Sequence, residues 1–440
     1  MSRILVFSGM RIFLCLLFSL MFCSGSVRSQ FKTDSLLEQI LRSDTSSAIQ
    51  KIIQNPDSFR VQIIYTRIDR DAHNIPRFRN YYFHVSPELY YYPASTVKLP
   101  LALLSLEKLN GMHQAGVDKF TRMAYDSSFS GQRILLKDSS SESGYPSIAQ
   151  FIRKAFLISD NDAYNRMYEF VGQETLNRQL HNKGFTGTRI VRQFMPLTEA
   201  ENRHTSAVRF LDQNGGILYL QPPAYNLDSF RFTPDAKVGR AYLDARDSLV
   251  NEPKDFTRHN RIPLEDLQQL LQTALFPLSV PESKRFVLKK ADYLFLYQYL
   301  SQYPSETPYP KYDTAEFYDS YVKFYFQKGG HQLPENIRVF NKVGWAYGFL
   351  TDVSYVADFK NHTEFMLTAT VYTNEDGILN DEKYEYESVA LPFLYRLGQD
   401  IYQYDLNRER KFKPDLTGFR MNYEHRDPAD KRPSILIVDN

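Results

Sequence analysis

The chain has 440 residues, of which 43% are apolar and 24% are charged, so it can bury a sizeable core in one large domain or a few smaller ones. Its mean hydropathy is negative, which excludes a protein with many membrane spans. The formal net charge of +2 leaves no basic field that would attract nucleic acid, so no nucleic-acid partner is expected.

The first 29 residues predict a signal peptide. Arg3 and Arg11 form a basic start, and the run 12–23 is apolar except for one serine. This run is too short to cross a bilayer comfortably, which favours cleavage, with Ser29 as the last residue removed. We therefore expect a periplasmic or secreted protein that has no membrane span after cleavage. An uncleaved N-terminal anchor is the alternative.

The two cysteines of the chain lie inside this N-terminal segment. Because Cys15 and Cys23 are removed with it, the remaining protein has no disulfide. Cleavage after Ser26 is a second option, and lipid attachment at Cys23 is disfavoured by the bulky Phe22 before it. The nine histidines show no H-x-x-x-H or similar spacing, so we expect no zinc site and no cofactor.

Apolar periodicity and turn-forming residues predict the secondary structure along the chain. The predicted elements, in chain order, are a helical segment at 31–56, a strand hairpin at 59–68 and 77–85, a helix at 95–109, helices at 148–157, 162–171 and 264–271, strands at 337–343, 348–357 and 364–372, and a helix at 382–402.

This order of elements predicts an α+β fold. We expect an antiparallel sheet built from both chain ends with flanking helices, and an inserted all-helical subdomain at about 110–330. The predicted domain organisation is the signal peptide at 1–29, one domain at 30–404 and a polar C-terminal tail at 405–440.

Ser95 and Lys98 stand three residues apart at the start of a predicted helix. Positions i and i+3 share one helix face, and their Cβ atoms lie about 5–6 Å apart. A serine hydroxyl becomes a good nucleophile when a nearby base takes its proton, and a lysine of lowered pKa can be that base. The pattern alone is weak, because Ser105 and Lys108 also match it. The alternative is that Ser95 is an ordinary serine in the first turn of a helix.

Ser159, Asp160 and Asn161 form an ordered triple between two helical patterns. About 0.1 such triples are expected by chance in a chain of this length. All three residue types are good N-caps for a helix that begins near Asp162, but capping explains only one of them. The triple therefore favours a functional role.

A third motif, Lys342-Val343-Gly344 followed by Trp345, ends the first strand of the final sheet. A lysine there can face a cleft, and a glycine lets a substrate backbone approach closely. This motif is also weak alone. Its value lies in the order of the three motifs, with the last one on a strand.

In this order the motifs resemble the S-x-x-K, S-D-N and K-T-G set of the serine β-lactamases and penicillin-binding proteins, class A in particular. The resemblance extends over residues 35–402 and implies a β-lactamase/transpeptidase-like fold for the domain at 30–404. It also implies an exported serine hydrolase that acts through an acyl-Ser95 intermediate, in the first place a class A-like β-lactamase that hydrolyses the β-lactam amide.

The resemblance implies a role for each matching residue. These are Ser95 as the acylated nucleophile, Lys98 as its activating base, Ser159 as the proton relay to the leaving nitrogen, Asn161 as a partner of the substrate amide and of Lys98, Lys342 as the cation for the substrate carboxylate, and the backbone N–H groups of Ser95 and of Trp345, which follows Gly344, as the oxyanion hole.

The sequence also departs from the family's pattern. Val343 stands where the family has Thr or Ser, so a hydroxyl that binds the substrate carboxylate is missing. The run 188–194 resembles the approach to the family's deacylating glutamate and puts Phe194 at that position. Glu199 and Glu201, just beyond, are candidate deacylation bases or ordinary solvated surface.

A further departure is the distance of 181 positions from Asn161 to Lys342, which implies an insertion between about 205 and 330.

Without a positioned base and water, an acyl-enzyme turns over slowly. Two alternatives therefore stay open, a D-alanyl-D-alanine carboxypeptidase or related cell-wall peptidase, and a penicillin-binding module without turnover. The expected partner is a small-molecule β-lactam or a peptidoglycan peptide, and the sequence leaves the oligomeric state undefined.

Overall fold

The computed structural model describes residues 31–232, 236–327 and 332–438. The predicted signal peptide at 1–29 lies outside the described residues. From Phe31 onward, the described chain forms one compact unit. None of its helices is long and apolar enough to cross a membrane.

The elements of the described residues are numbered in chain order. The α-helices are α1 (Ser35–Ser43), α2 (Ser47–Ile53), α3 (Lys98–Met112), α4 (Ile148–Leu157), α5 (Asn161–Val171), α6 (Gln173–Asn182), α7 (Glu199–Arg203), α8 (Leu264–Leu275), α9 (Lys290–Ser301) and α10 (Leu391–Asn407). The strands are β1 (Gln62–Arg70), β2 (Pro76–Phe83), β3 (Arg122–Tyr125), β4 (Val208–Leu211), β5 (Ile217–Gln221), β6 (Lys237–Val238), β7 (Ala241–Leu243), β8 (Leu249–Val250), β9 (Lys254–Asp255), β10 (Ile337–Ala346), β11 (Phe349–Asp358), β12 (Thr363–Tyr372) and β13 (Ile378–Leu379).

A five-stranded antiparallel sheet in the order β10-β11-β12-β1-β2 lies at the centre. Strand β1, from the N-terminal part of the chain, pairs with β12, from the C-terminal part, with Gln62 opposite Thr370 and Arg67 opposite Phe365. The α+β prediction of one sheet built from both chain ends is therefore confirmed. Strand β10 is an edge strand, so one of its backbone edges is not paired within this sheet.

Both faces of this sheet are covered by apolar layers, which is why β11 and β12 are buried along their whole length. One layer contains Ile52 of α2 and Leu397 of α10. The other contains Leu267 and Leu271 of α8, together with Tyr355 of β11. Because side chains alternate between the two faces of a strand, successive residues of β10 contribute to different layers.

The segment around the predicted helix at 95–109 differs from the prediction at its start. Residues Ala94–Val97 form a 3₁₀ turn, and the α-helix begins only at Lys98. Pro100 therefore lies in the first turn of α3, where its missing N–H costs little. The predicted helix at 31–56 is divided into α1 and α2, since the Asp44 carboxylate accepts the Ser46 N–H (2.6 Å) in the turn between them.

The inserted subdomain at about 110–330 is not all-helical, which corrects the prediction. It contains a three-stranded sheet in the order β3-β4-β5 and short pairs such as β6 with β9. The β4–β5 hairpin turns at Asn214-Gly215-Gly216, where Gly215 has a φ of +87°. An Asn-Gly pair between short apolar runs is a hairpin signal, and it identifies this turn in the sequence.

The described part of the predicted polar tail at 405–440 lies against the domain. Helix α10 extends into it as far as Asn407. Beyond that, Phe419 is buried against Phe340 and Tyr355, and Glu424 accepts a hydrogen bond from the Tyr299 hydroxyl (2.8 Å).

Candidate active site

Ser95 lies in the 3₁₀ turn that precedes α3. The turn is fixed by Thr96, whose hydroxyl donates to the Pro93 carbonyl (2.7 Å). Ala94 has a φ of +43°, an unfavourable value for a residue with a Cβ, so the chain bends sharply just before the serine. Ser95 is partly exposed, whereas Thr96 and Lys98 are fully buried. The hydroxyl is thus the accessible member of this turn.

The Lys98 side chain connects the first two motifs. Its Nζ lies 2.6 Å from Ser95 Oγ and 2.7 Å from Asn161 Oδ1, and it also donates to the Ser159 carbonyl. Ser159 Oγ is 3.3 Å away. The predicted convergence of Ser95, Lys98, Ser159 and Asn161 is therefore present in the structure.

One residue of the S-D-N triple caps a helix, and the other two contact Lys98. The Asp160 carboxylate accepts the Ala163 N–H (2.8 Å) and is the N-cap of α5. Ser159, with a φ of +68°, and Asn161 face Lys98 from either side of this cap. Capping therefore accounts for one of the three residues, as the sequence indicated.

Lys342 on β10 completes the cluster. Its Nζ donates to Ser159 Oγ (2.8 Å) and to the Val343 carbonyl (2.8 Å), and only 2% of the residue is exposed. The Ser159 hydroxyl consequently lies between two buried amines, Lys98 and Lys342. We refer to Ser95, Lys98, Ser159, Asn161 and Lys342 as the serine–lysine cluster.

Gly344 brings β10 against the backbone of the nucleophile. A Cβ at this position would lie 2.6 Å from the Pro93 carbonyl oxygen and 2.9 Å from the Ser95 nitrogen. Only glycine permits this close approach. The residue after it, Trp345, is thereby held next to the Ser95 turn at the edge of the sheet, and its indole packs against Tyr321 and Phe324.

Burial lowers the pKa of both lysines of the cluster. The pKa of Lys98 falls well below its usual value because the amine is desolvated and because Lys342 is close, with Asp160 opposing the shift. The pKa of Lys342 falls to about 7, mainly through burial, with Asp352 raising it and Lys323 lowering it. A neutral Lys98 is the form that can accept a proton from Ser95.

A buried polar network behind Lys342 was not predicted. The Lys323 ammonium donates to the carbonyl of Leu300 (2.8 Å) and to Asn341 Oδ1 (2.6 Å), and Asn341 Nδ2 donates to Asp352 Oδ1 (2.9 Å). Burial raises the pKa of Asp352 to about 7. Lys323 comes from the insertion and has no motif around it, so the sequence offers no signal for its position.

Phe194 reaches the serine–lysine cluster, and its ring centroid lies 4.9 Å from Lys98 Nζ. The Asn165 side chain holds the backbone of this residue, since Asn165 Oδ1 accepts the Phe194 N–H (2.8 Å). The ring also packs against Tyr164, with a centroid separation of 4.6 Å. An apolar ring therefore covers the side of Lys98 where the resemblance places a carboxylate.

The two candidate deacylation bases have other partners. Glu199 pairs with Arg258 (2.7 Å), and Glu201 forms a capping box with Thr198 and accepts from the Ser130 hydroxyl (2.8 Å). None of these contacts involves the serine–lysine cluster. Their assignment as bases stays a prediction that the geometry does not support.

Val343 lies in the apolar layer that also contains Ile52 and Leu397. Its side chain therefore faces away from Lys342 and Gly344, which occupy the other face of β10. Over the part of the chain that the structure describes, no group of three or more His, Cys, Asp or Glu side chains could hold a metal ion.

The fold and the serine–lysine cluster define a serine hydrolase. Residues 44–212 match the Beta-lactamase2 family, described as the β-lactamase enzyme family, and this segment contains Ser95, Lys98 and the S-D-N triple. The match covers less than half of the chain, and it shows that this segment is similar to the β-lactamase enzyme family.

Comparison with other proteins gives two further findings. No curated protein matches the sequence. Among solved structures, a β-lactamase from Xanthomonas campestris pv. campestris is 16% identical, with 85% of this chain and 100% of that one covered and a TM-score of 0.46. A β-lactamase from Desulfarculus baarsii is 14% identical, with 85% and 98% covered and a TM-score of 0.44.

Proposed function

We propose that this protein is an exported, class A-like serine hydrolase that opens the β-lactam amide and forms an acyl-Ser95 intermediate. The observation that carries the proposal is the 2.6 Å separation between Lys98 Nζ and Ser95 Oγ, with the lysine buried and its pKa lowered. A neutral amine at hydrogen-bond distance from a hydroxyl is the arrangement that general-base activation needs.

Acylation uses Ser95, Lys98 and Ser159 of the cluster. Lys98 Nζ accepts the Ser95 proton while Ser95 Oγ attacks the lactam carbonyl carbon. The oxyanion that forms lies against the backbone N–H groups of Ser95 and Trp345. As the C–N bond breaks, Ser159 Oγ gives its proton to the leaving nitrogen, and the ammonium of Lys98 replaces that proton.

Substrate binding employs the outer members of the same cluster. Lys342, when protonated, attracts the carboxylate that β-lactams carry beside the leaving nitrogen, and Asn161 offers its amide to the acyl side chain. Both side chains already contact the Ser95–Lys98–Ser159 group, so a bound substrate would bridge groups that the protein holds in place.

Deacylation lacks an obvious carboxylate base. Within the described chain, no Asp or Glu side chain hydrogen-bonds to Ser95, Lys98 or Ser159, and the Phe194 ring covers the free side of Lys98. We therefore expect a fast acylation and a slow release of the acyl group, because the attacking water has only Lys98 to take its proton.

The test is intact-protein mass spectrometry after brief exposure to benzylpenicillin, followed by peptide mapping and a nitrocefin assay. We expect one adduct, on the peptide that contains Ser95, and a low rate of nitrocefin hydrolysis. Ser95→Ala abolishes both, whereas Ser105→Ala, which alters the other S-x-x-K serine, retains the adduct. Absence of an adduct on the unaltered protein would sink the proposal.

A second candidate is a D-alanyl-D-alanine carboxypeptidase. It is favoured by Phe194, since an enzyme that lacks a dedicated deacylation base is trapped by β-lactams but can still process its own peptide. Release of D-alanine from a muropeptide pentapeptide, lost in Ser95→Ala, distinguishes it. A penicillin-binding module without turnover would bind the ligand even after Ser95→Ala and would show neither hydrolysis nor D-alanine release.

Export is part of the proposal and is supported by the sequence of residues 1–29. Expression of the full chain in a Gram-negative host, followed by N-terminal sequencing of the protein in the periplasm, tests it. A new N-terminus at Gln30 is expected, and an intact Met1 in the cytoplasm would contradict it.

A further inference from the structure

A cavity of about 790 Å³ lies apart from the serine–lysine cluster, and none of the cluster residues lines it. Its wall is formed by α6 and by loops around residues 87, 188, 229 and 262. Several ionisable side chains line this wall: Glu88, Arg178, His181, Arg189, Asp228, Arg231 and Arg261. We call it the arginine cavity.

Two of these arginines are held side by side by the backbone. The Arg189 N–H donates to the Arg261 carbonyl (2.8 Å), and the Arg261 N–H donates to the Arg189 carbonyl (2.7 Å). Their guanidinium groups are close enough that Arg261 helps burial to lower the pKa of Arg189 to about 10. The fold thus forces two like charges together beside an open cavity, which is costly unless an anion is near.

These guanidinium groups donate hydrogen bonds to backbone carbonyls and not to carboxylates. Arg189 donates to the carbonyls of Arg231 (3.0 Å) and Thr257 (2.9 Å), and Arg261 donates to that of Pro87. Only 7% of Arg189 is exposed, and its Nε has no partner. Among the described residues, no carboxylate lies within ion-pair distance of Arg189, Arg231 or Arg261.

The acidic groups of the wall do not cancel this charge. Glu88 accepts from the Ser86 hydroxyl (2.8 Å), and Asp228 forms no ion pair with an arginine of the cavity. Arg178 is the exception among the cations, because it pairs with Glu174 (2.7 Å) on the same helix. Three arginines therefore face two carboxylates, and the cavity keeps a positive excess.

We propose that the arginine cavity binds a small organic anion that carries carboxylate or phosphate groups. The planar guanidinium fork matches both groups with paired hydrogen bonds, which a monoatomic anion does not use. The cavity is larger than an inorganic ion requires and has the size of ordinary small-molecule sites. Phe230 in the wall offers an apolar surface for the body of the ligand.

The experiment is isothermal titration of the purified protein with citrate and, separately, with pyrophosphate, at low and at physiological salt. Saturable binding of either probe, weakened by added salt, is expected. Arg231→Ala is the informative variant, because Arg231 is exposed and its side chain makes no hydrogen bond to the described residues, so the fold does not depend on it. We expect it to weaken binding by at least about tenfold.

The matched control is Arg77→Ala, which removes an exposed arginine from β2 and should leave binding unchanged. Binding of citrate alone would identify a carboxylate ligand, of pyrophosphate alone a phosphate ligand, and of both a general site for such anions. No saturable binding of either probe, or equal binding by Arg231→Ala, overturns the proposal. Thermal unfolding of each variant checks that it is folded, so this result is independent of the hydrolase proposal.

Discussion

The ring of Phe194 lies over the amine of Lys98, with 4.9 Å between the ring centroid and Nζ. This contact contributes to the burial that lowers the lysine's pKa, so it favours the base form that activates Ser95. It also occupies the place from which a carboxylate could direct water at the acyl group. In the proposed reaction, this one side chain would therefore assist acylation and obstruct deacylation.

Replacing this ring with a carboxylate should convert slow release into turnover. In Phe194→Glu, the backbone stays held by Asn165, and a carboxylate can take a proton from water beside the acyl-Ser95. General-base catalysis of this kind contributes about 10²–10⁴-fold. We expect the acyl-enzyme lifetime to shorten by about two to four orders of magnitude, measured by mass spectrometry after removal of excess benzylpenicillin.

Phe194→Gln is the matched control for this variant, since it also opens the covering ring but brings no base. Its acyl-enzyme should remain long-lived. Equal lifetimes in the glutamate and glutamine variants would show that access of water, and not a missing carboxylate, limits release of the acyl group. Acylation by Phe194→Glu should be slower than by the unaltered protein, because a new negative charge raises the pKa of Lys98.

Lys98→Met should remove the base while keeping a side chain of similar length in a buried site. We expect the acylation rate of Ser95 to fall by about 10²–10⁴-fold, measured as the second-order rate of adduct formation. Lys108→Met is the control on the same helix, where the amine donates to the Phe170 carbonyl and to Gln221 (2.7 Å) and lies away from Ser95. A similar loss in both variants would point to a general effect on the fold.

The sequence predicts those parts of the site that local structure fixes. Ser95 and Lys98 are fixed by a helical turn, and Asp160 caps α5 so that Ser159 and Asn161 flank it. Hydrophobic alternation placed β10, β11 and β12 within a few residues of their observed bounds. In each case a short stretch of sequence contains the physical cause of the structure.

What the sequence did not predict depends on contacts between distant residues. Lys323 donates to Asn341 only because the end of the insertion folds back against β10. The orientation of Val343 toward the apolar layer follows from the register of β10 with β11, which a single strand pattern does not define. The position of Glu199 likewise depends on Arg258, 59 residues away.

Asp352→Asn should move the alkaline limb of the acylation profile to lower pH. Lys342 binds the substrate carboxylate when protonated, and its pKa is about 7, so acylation should decline as the pH rises through that value. Burial sets this pKa low, and Asp352 is the largest charge that raises it. Without that carboxylate, Lys342 loses its proton at a lower pH.

The measurement is the pH dependence of the second-order acylation rate with a β-lactam whose carboxylate stays ionised across the range. Asp358→Asn, on the same strand but hydrogen-bonded to Asn361 and Tyr402, should leave the alkaline limb in place. If the alkaline limb of the acylation rate stays in place in Asp352→Asn, deprotonation of Lys342 does not cause that limb.

Gly344→Ala should disable the site through the backbone of the nucleophile. The added Cβ would lie 2.6 Å from the Pro93 carbonyl and 2.9 Å from the Ser95 nitrogen, and both neighbours are backbone atoms that cannot rotate away. Overpacking of this kind costs about 1–3 kcal/mol. Since the strain falls on the Ser95 turn, acylation should fall by more than the loss of folded protein explains.

Gly111→Ala, in α3 with nothing within 4 Å of its Cβ, should instead stabilise the fold by up to about 1 kcal/mol. Thermal unfolding and acylation rates of both variants test this, and full acylation by Gly344→Ala would show that the close approach of β10 to Ser95 is dispensable.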